Sequence, residues 1–116
     1  MSTAPESITV NGVEYFRPRG LDPAGRKIVR SRDAGVFFGL VTERDGDHVT
    51  MSDARRIWYW AGAASLSQLA MSGTTRPADC KFPEAVECVE LFGVCEILDV
   101  SDEAAASIDA VKVWKS

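Results

Sequence analysis

The sequence lacks the short motifs that identify many enzymes. It contains no phosphate loop of the G-x-x-x-x-G-K type, no G-x-G-x-x-G run and no G-x-S-x-G nucleophile elbow. Its single histidine, His48, follows an Asp-Gly-Asp turn, a position typical of an exposed residue. Glu87 and Glu90 are at odd spacing on a strand-like segment, so their carboxylates point to opposite faces. We therefore predict no catalytic residue, no enzymatic activity and no cofactor.

Cysteine is scarce, and its spacing is not that of a zinc site. The three cysteines, Cys80, Cys88 and Cys95, form no C-x-x-C pair, and His48 does not complete a metal site with them at the usual spacings. An odd number of thiols favours reduced cysteines in a cytoplasm, and a disulfide or a metal site is the less favoured alternative. We predict no metal ligands.

Long hydrophobic runs are also missing. The longest apolar stretch, residues 34–41, is far too short to span a bilayer. Residues 1–7 have neither the basic nor the apolar segment of a secretory signal. These absences predict a cytoplasmic protein that has no membrane partner.

Charge is unevenly distributed along the chain. There are 13 basic and 17 acidic residues, which gives a net charge of −4. The charged residues within 17–32 are all basic except Asp22. Residues 84–109, in contrast, contain acids and no base. This asymmetry is typical either of a face that binds an anion or of two segments that complement each other in an oligomer. The acidic balance argues against binding of duplex nucleic acid.

Residues 1–26 are predicted to form a segment appended to the main domain. Residues 1–7 resemble a flexible tail, and Asn11-Gly12 between two β-type runs predicts a β-hairpin. Residues 17–26 are rich in proline, glycine and charge, which is typical of a linker.

Residues 27–116 predict a single α+β domain, an antiparallel β meander with one central helix and one short C-terminal helix. The helices are expected within 61–73, with Gly73 as a C-terminal cap, and after the capping residue Ser101. Strand-like patterns cover 27–32, 36–43, 48–60, 86–100 and 111–114. The third is expected to be broken near residue 52, and Gly93 is expected to mark a bulge in the fourth.

The densest chemical cluster is Arg55-Arg56-Ile57-Trp58-Tyr59-Trp60. On a strand, Arg56, Trp58 and Trp60 share one face. Arginine binds phosphate through paired hydrogen bonds, and indole rings offer flat surfaces for stacking and for cation–π contacts. The alternative is that the tryptophans anchor the core while the arginines pair with the acidic segment.

Two further groups of residues could bind an anion. Arg30 and Arg32 precede the small residues Ala34 and Gly35, where backbone N–H groups can come close to a ligand. Ser65, Ser67 and Gln68 supply neutral hydrogen-bonding groups near a predicted helix start. The alternatives are an ordinary hairpin with solvated arginines and a solvated helix face. Together the signals favour a small phosphorylated nucleotide over a long polymer.

At these residues the chain resembles a small phage protein family. The family pattern is R-[ST]-x-x-A-G-V-F-x-G followed by A-R-R-x-W-Y-W-x-G-A-x-[ST]-L-S-Q-L-A, and the likeness covers residues 27–116. The segments that carry it are Arg30–Gly39, Ala54–Trp60, Gly62–Ala70, Cys80–Phe82 and Val111–Trp114. The family is similar to the anti-Thoeris sponge proteins of phages.

The resemblance implies a protein of the infected bacterial cytoplasm that sequesters cyclic ADP-ribose isomers, and with them cyclic oligonucleotides of the related CBASS defence. It also implies a homo-oligomer, a hexamer built from dimers, with ligand sites at subunit interfaces. Phe82 would be the base-stacking ring, and an N-terminal hairpin folded over the motif face would put the ligand site in doubt. The predicted ligand-binding residues are Arg30, Arg32, Ala34, Gly35, Arg55, Arg56, Trp60, Ser65, Gln68 and Phe82.

Three hypotheses follow for function. The first is a sequestering protein that binds cyclic nucleotides without turnover. The second is a phage structural or protein–protein interaction protein in which the tryptophans anchor a contact. The third is a small hydrolase with His48 or a glutamate as base. The first and third require a cleft or a subunit interface lined by the motif arginines, whereas the second predicts arginines that are paired with acids or solvated.

Overall fold

The computed structural model describes the backbone of residues 7–10, 13–16 and 20–115 and the side chains of residues 20–115. Ten elements follow one another along these residues. They are β1 (Ser7–Val10), β2 (Val13–Phe16), β3 (Lys27–Ser31), β4 (Gly35–Asp45), β5 (His48–Arg56), α1 (Leu66–Ser72), a single 3₁₀ turn (Pro77–Asp79), β6 (Val86–Leu91), β7 (Val94–Asp99) and α2 (Asp102–Asp109).

The predicted α+β class is confirmed: the described chain has a five-stranded antiparallel sheet and two α-helices. β1 and β2 pair with each other in a separate antiparallel ladder. The Asn11-Gly12 turn, the tail 1–6, and residues 17–19 of the predicted linker lie outside the described residues, so the hairpin and its linker stay predictions. No helix in the described part of the chain has the length and apolarity needed to cross a membrane.

The sheet curls until its two edge strands meet. Its strand order is β6-β5-β4-β3-β7, yet only Phe92 and Gly93 separate β6 from β7 along the chain. Two intervening residues make three Cα–Cα steps of at most about 3.6 Å each, or about 11 Å in all, so the opposite edges of the sheet must approach each other there. The predicted run 86–100 is therefore not one strand with a bulge. It is two strands with a bend that joins the two edges.

Hydrogen bonds to the main chain hold this bend from both sides. The hydroxyl of Ser31 donates to the carbonyl of Phe92 at 2.6 Å, and the N–H of Arg32 donates to the carbonyl of Gly93 at 3.1 Å. The N–H of Val94 donates to the carbonyl of Asp47 at 3.0 Å. Gly93 has a φ of 67°, a conformation that glycine adopts without steric cost.

The curled sheet divides the core in two by strand alternation. Neighbouring residues Ile28 and Val29 are both fully buried, on opposite faces, and their partners in β4 are Phe38 and Phe37. The inner cluster consists of Val29, Phe37, Val49, Met51, Ala54 and Leu91. On the other face, α1 and α2 cover Ile28 and Phe38. Because both faces of β3 are buried, its sequence is apolar at two adjacent positions rather than at alternate ones.

The ends of several elements differ from the predicted ones. β5 ends at Arg56 and not at Trp60; the last hydrogen bond toward β4 runs from the N–H of Ile57 to the carbonyl of Val36 at 2.8 Å. The N–H groups of Trp58 and Tyr59 donate instead to the carbonyl of Lys81. The segment expected to be a strand at 111–114 makes only one isolated bridge, between Phe82 and Val113.

Both predicted helix caps are confirmed. The hydroxyl of Ser101 accepts from the N–H of Ala104 at 2.9 Å, and Gly73 follows α1 with a φ of 75° while its N–H donates to the carbonyl of Leu69. These bonds satisfy backbone groups that a helix end leaves without an internal partner. The caps fix α1 and α2 side by side against the sheet.

Asp22 is a buried acid that accepts several hydrogen bonds from Arg26. The Nε of Arg26 donates to an oxygen of Asp22 at 2.8 Å, its Nη1 donates to Asp109 at 2.8 Å, and its backbone N–H also donates to Asp22. The side-chain hydrogen bond from Arg26 is the main reason that the pKa of Asp22 lies below its ordinary value of 3.8. These contacts anchor the segment that leads into β3.

Stability should therefore fall at low pH, in part through Asp22. A carboxyl whose pKa is lowered by folding stabilises the folded protein above its unfolded pKa, and it loses that contribution as the pH falls through the folded value. We expect the free energy of unfolding to decrease below about pH 4, and Asp22→Asn to flatten that decrease. Urea unfolding at a series of pH values measures it. Asp33→Asn, at an exposed position, is the control; equal slopes for both variants would contradict the prediction.

Candidate functional site

A shallow cleft of about 200 Å³ lies where the turn before β4 meets the end of β5. The turn contributes Ala34, the first residue of β4 contributes Gly35, and the end of β5 contributes Arg56. Its lining residues are Ala34, Gly35, Val36, Arg56, Ile57, Trp58 and Trp60. The structure thus brings together four of the ten predicted ligand residues, Ala34, Gly35, Arg56 and Trp60.

Arg56 is the one positive charge that lines this cleft. Its guanidinium lies 4.3 Å from the centre of the Phe37 ring, and its Nη1 donates to the carbonyl of Ala34. Within the described residues it forms no ion pair. A guanidinium has five N–H donors in a rigid fork, so most of them stay available to an anion.

Gly35 lies in the wall of the cleft beside this guanidinium. Its φ is 96°, and a Cβ placed there would lie 3.7 Å from Nη1 of Arg56. Glycine adopts this backbone conformation without the steric cost that other residues incur. A Cβ at this distance would make ordinary contact with the guanidinium, so it is the backbone conformation that favours glycine here.

Two indole rings form the aromatic side of the cleft. Trp60 is half-buried and packs against the helix-covered core, whereas Trp58 has 64% of its surface exposed. Arg56, Trp58 and Trp60, which the sequence placed on one face, all line the cleft, but Ile57 lines it as well and Trp60 packs against the same core cluster as Ile57. Trp58 and Val36 were not among the predicted ligand residues, although the shared face of Trp58 with Arg56 was visible in the sequence.

Arg55, unlike its neighbour Arg56, binds the main chain with most of its donors. Its guanidinium uses four N–H groups to bind main-chain carbonyls, at distances between 2.6 and 3.1 Å. The acceptors are Phe82, Pro83, Ile108 and Val111. Burial lowers the pKa of Arg55. This arrangement ties the C-terminal segment to β5 and leaves one N–H for any other partner.

The other predicted ligand residues lie apart from the cleft. Arg30 pairs with Glu96 at 2.9 Å, and Arg32 lies 4.0 Å from Asp47 with most of its side chain exposed. Phe82 is fully buried, so its ring cannot stack on a ligand in this conformation of the chain.

Ser65 and Gln68 serve the start of α1. The hydroxyl of Ser65 accepts from the N–H of Gln68 at 3.1 Å, and the side-chain oxygen of Gln68 accepts from the N–H of Ala64 at 2.8 Å. This reciprocal arrangement satisfies two backbone donors at the start of the helix. Both side chains therefore act as caps in the described chain.

The histidine and the cysteines form no cluster. Nε2 of His48 lies 3.0 Å from a carboxylate oxygen of Glu90, and its ring stacks on Phe92 at 4.4 Å. Cys80, Cys88 and Cys95 are all free thiols. Among residues 20–115 there is no group of three or more metal-ligating side chains placed to hold an ion.

The fold and the cleft define a small α+β domain whose arginine and tryptophan side chains meet at the end of one strand. Residues 25–108 match the model of a domain family of unknown function, DUF6948, and the chain belongs to this family. The comparison with curated proteins gave no match, and neither did the comparison with solved structures.

Proposed function

We propose that the protein binds a small phosphorylated nucleotide in the Arg56 cleft and holds it without turnover. The observation that carries this proposal is the position of the Arg56 guanidinium, which has no acidic partner among the described residues and lies in a cleft with two indole rings. The guanidinium supplies paired donors for a phosphate, and an indole face supplies a stacking surface for a base.

Cyclic ADP-ribose isomers and cyclic oligonucleotides are the candidate ligands, because they combine phosphates with bases and because the resemblance to phage sponge proteins implies them. In an infected bacterium, such binding would remove the signal of an antiviral defence. Protection by sequestration needs tight binding and slow release rather than catalysis.

Oligomer formation would complete the site. The cleft of about 200 Å³ is smaller than the roughly 300–1,000 Å³ of typical small-molecule sites. One subunit therefore covers only part of a nucleotide of this size. A second copy placed over the exposed Trp58 would enclose the remainder, which agrees with the homo-oligomer, dimer-based and hexameric, that the resemblance implies.

Replacing Arg56 with alanine should weaken nucleotide binding about tenfold or more, the effect expected from losing a charge-assisted hydrogen bond. A panel of cyclic ADP-ribose isomers and cyclic di- and trinucleotides is tested by thermal unfolding, since a ligand that binds only the folded protein raises its midpoint. Arg44→Ala is the matched control, because Arg44 is an exposed arginine at the far end of β4.

The bound ligand is then released by heat, and its mass is measured by mass spectrometry. Intact recovery supports sequestration, and an altered mass would make the protein an enzyme. The nucleotide proposal fails if no member of the panel raises the midpoint, or if Arg56→Ala binds as tightly as Arg44→Ala.

A protein–protein contact is the second candidate function. Large apolar side chains are unusually exposed on this chain, among them Trp58 and Phe92 at 64% and Tyr59 at 52%. Exposed aromatic residues are typical anchors of an interface. A phage structural or interaction protein would use Trp58 and Tyr59 in this way and would bind none of the nucleotides.

A further inference from the structure

A second and larger groove lies between the 3₁₀ turn and the segment after α2. Its volume is about 400 Å³, which is within the range of small-molecule sites. The 3₁₀ turn forms one wall, and the segment after α2 forms the other. The lining residues are Pro77, Ala78, Cys80, Ala110, Lys112, Val113 and Trp114, none of which lines the Arg56 cleft.

Main-chain contacts fix the wall that follows α2. Arg55 binds the carbonyls of Ile108 and Val111, and the N–H of Trp114 donates to the carbonyl of Phe82 at 3.0 Å. Val113 forms its bridge with Phe82 as well. The groove is therefore formed before any ligand arrives, which lowers the entropic cost of binding.

The groove combines apolar walls with two free positive charges. Lys112 lines it directly, and Nζ of Lys81 lies 5.5 Å from the ring centre of Trp114 and 5.9 Å from that of Tyr59. Neither lysine forms an ion pair among residues 20–115, whereas nearby Arg76 pairs with Asp79. In a chain with a net charge of −4, this is a local excess of positive charge.

We propose that this groove binds a planar aromatic carboxylate. The indole of Trp114, which is 44% exposed, offers a flat surface to an aromatic ring, while Pro77 and Val113 supply further apolar contact. The carboxylate is held by the ammonium of Lys112, with Lys81 adding to the positive field. This site is distinct from the nucleotide cleft, and it stands whether or not the cleft binds nucleotides.

The three tryptophans allow the two sites to be tested in one experiment. Trp114 lines the groove, and Trp58 and Trp60 line the cleft. The full chain, labelled with ¹⁵N, is titrated with 2-naphthoate, and the three indole N–H signals are assigned by single Trp→Phe variants. We expect the Trp114 signal to shift in a saturable manner while the Trp58 and Trp60 signals stay in place.

Charge recognition is tested with matched ligands and variants. Lys112→Ala should weaken binding about tenfold, the loss expected for a charge-assisted contact, and Lys115→Ala should leave it unchanged because Lys115 does not line the groove. The uncharged analogue 2-naphthalenemethanol should bind more weakly than 2-naphthoate. Circular dichroism checks that each variant is folded.

Three results would overturn the proposal. They are the absence of a saturable Trp114 shift up to the solubility limit of 2-naphthoate, equal affinity of Lys112→Ala and Lys115→Ala, and equal affinity for the uncharged analogue. The first of these results includes shifts confined to Trp58 and Trp60, which would place the aromatic anion in the cleft. A nucleotide that shifts the Trp58 and Trp60 signals supports binding in the cleft, and this result does not bear on the test of the groove.

Discussion

Replacing Arg55 with alanine should lower the free energy of unfolding by about 3 kcal/mol, because the change removes four hydrogen bonds and takes from the carbonyls of Pro83 and Val111 the donor that Arg55 supplies. The guanidinium holds four carbonyls, and those of Ile108 and Val111 belong to the end of the chain while those of Phe82 and Pro83 precede β6. A single side chain thus joins segments that are far apart in sequence. Its ring contact with Phe82, at 5.4 Å, is lost as well.

Urea unfolding at neutral pH measures this change. Arg56→Ala is the matched control, since the neighbouring guanidinium binds one carbonyl and contacts one ring, that of Phe37, and its loss should cost about 1–2 kcal/mol. Arg55→Lys should fall between the wild type and Arg55→Ala, because an ammonium keeps the charge but lacks the planar fork. If Arg55→Ala were no less stable than Arg56→Ala, the assignment of a structural role to Arg55 would be wrong.

The contrast between Arg55 and Arg56 also shows how far the sequence predicts the site. The two residues are identical and adjacent, so their composition cannot distinguish a structural from a binding role. Strand alternation does separate them: in the ladder with β4, Arg55 is opposite Phe38 and Arg56 is opposite Phe37. Phe38 belongs to the helix-covered core. Which face the helices would cover is set by tertiary packing, and alternation alone does not reveal it.

Local signals predicted the local structure well. The caps Ser101 and Gly73 and the helix around residue 69 depend on neighbours within a few residues, and the structure contains each of them. The separation of residues 86–100 into two edge strands depends on which distant strand each half pairs with. β6 pairs with β5 and β7 pairs with β3, and no short-range pattern encodes that choice.

The same distinction applies to Phe82, which the resemblance implies to be a stacking ring and which the structure buries. An aromatic residue after a loop fits an exposed or a buried position equally well from sequence. Its burial follows from Arg55 above the ring and from the last residues of the chain beside it. Both contacts span many residues, so the sequence gives no direct sign of them. The groove lined by Trp114 was missed for the same reason.

Replacing Gly62 with alanine should destabilise the protein by about 3 kcal/mol, the sum of a backbone and a steric cost. Gly62 has a φ of 80°, and a Cβ there would lie 2.5 Å from the backbone nitrogen of Arg76 and 2.8 Å from that of Thr75. Backbone atoms cannot move aside as a flexible side chain can. The N–H of Thr75 also donates to the carbonyl of Gly62 at 3.2 Å, so the two segments are held in contact.

Gly46→Ala separates the two costs. Gly46 has a φ of 60°, but a Cβ there would meet nothing within 4 Å, so this variant should lose only about 1 kcal/mol of stability. The comparison by urea unfolding therefore isolates the steric part at Gly62. If both variants lost the same stability, the close approach to residues 75–76 would not exist in solution. If the expected difference is found, the glycine of the W-Y-W-x-G-A motif serves to pack the segment after Trp60 against the loop that leads to the groove, and its role is structural rather than ligand binding.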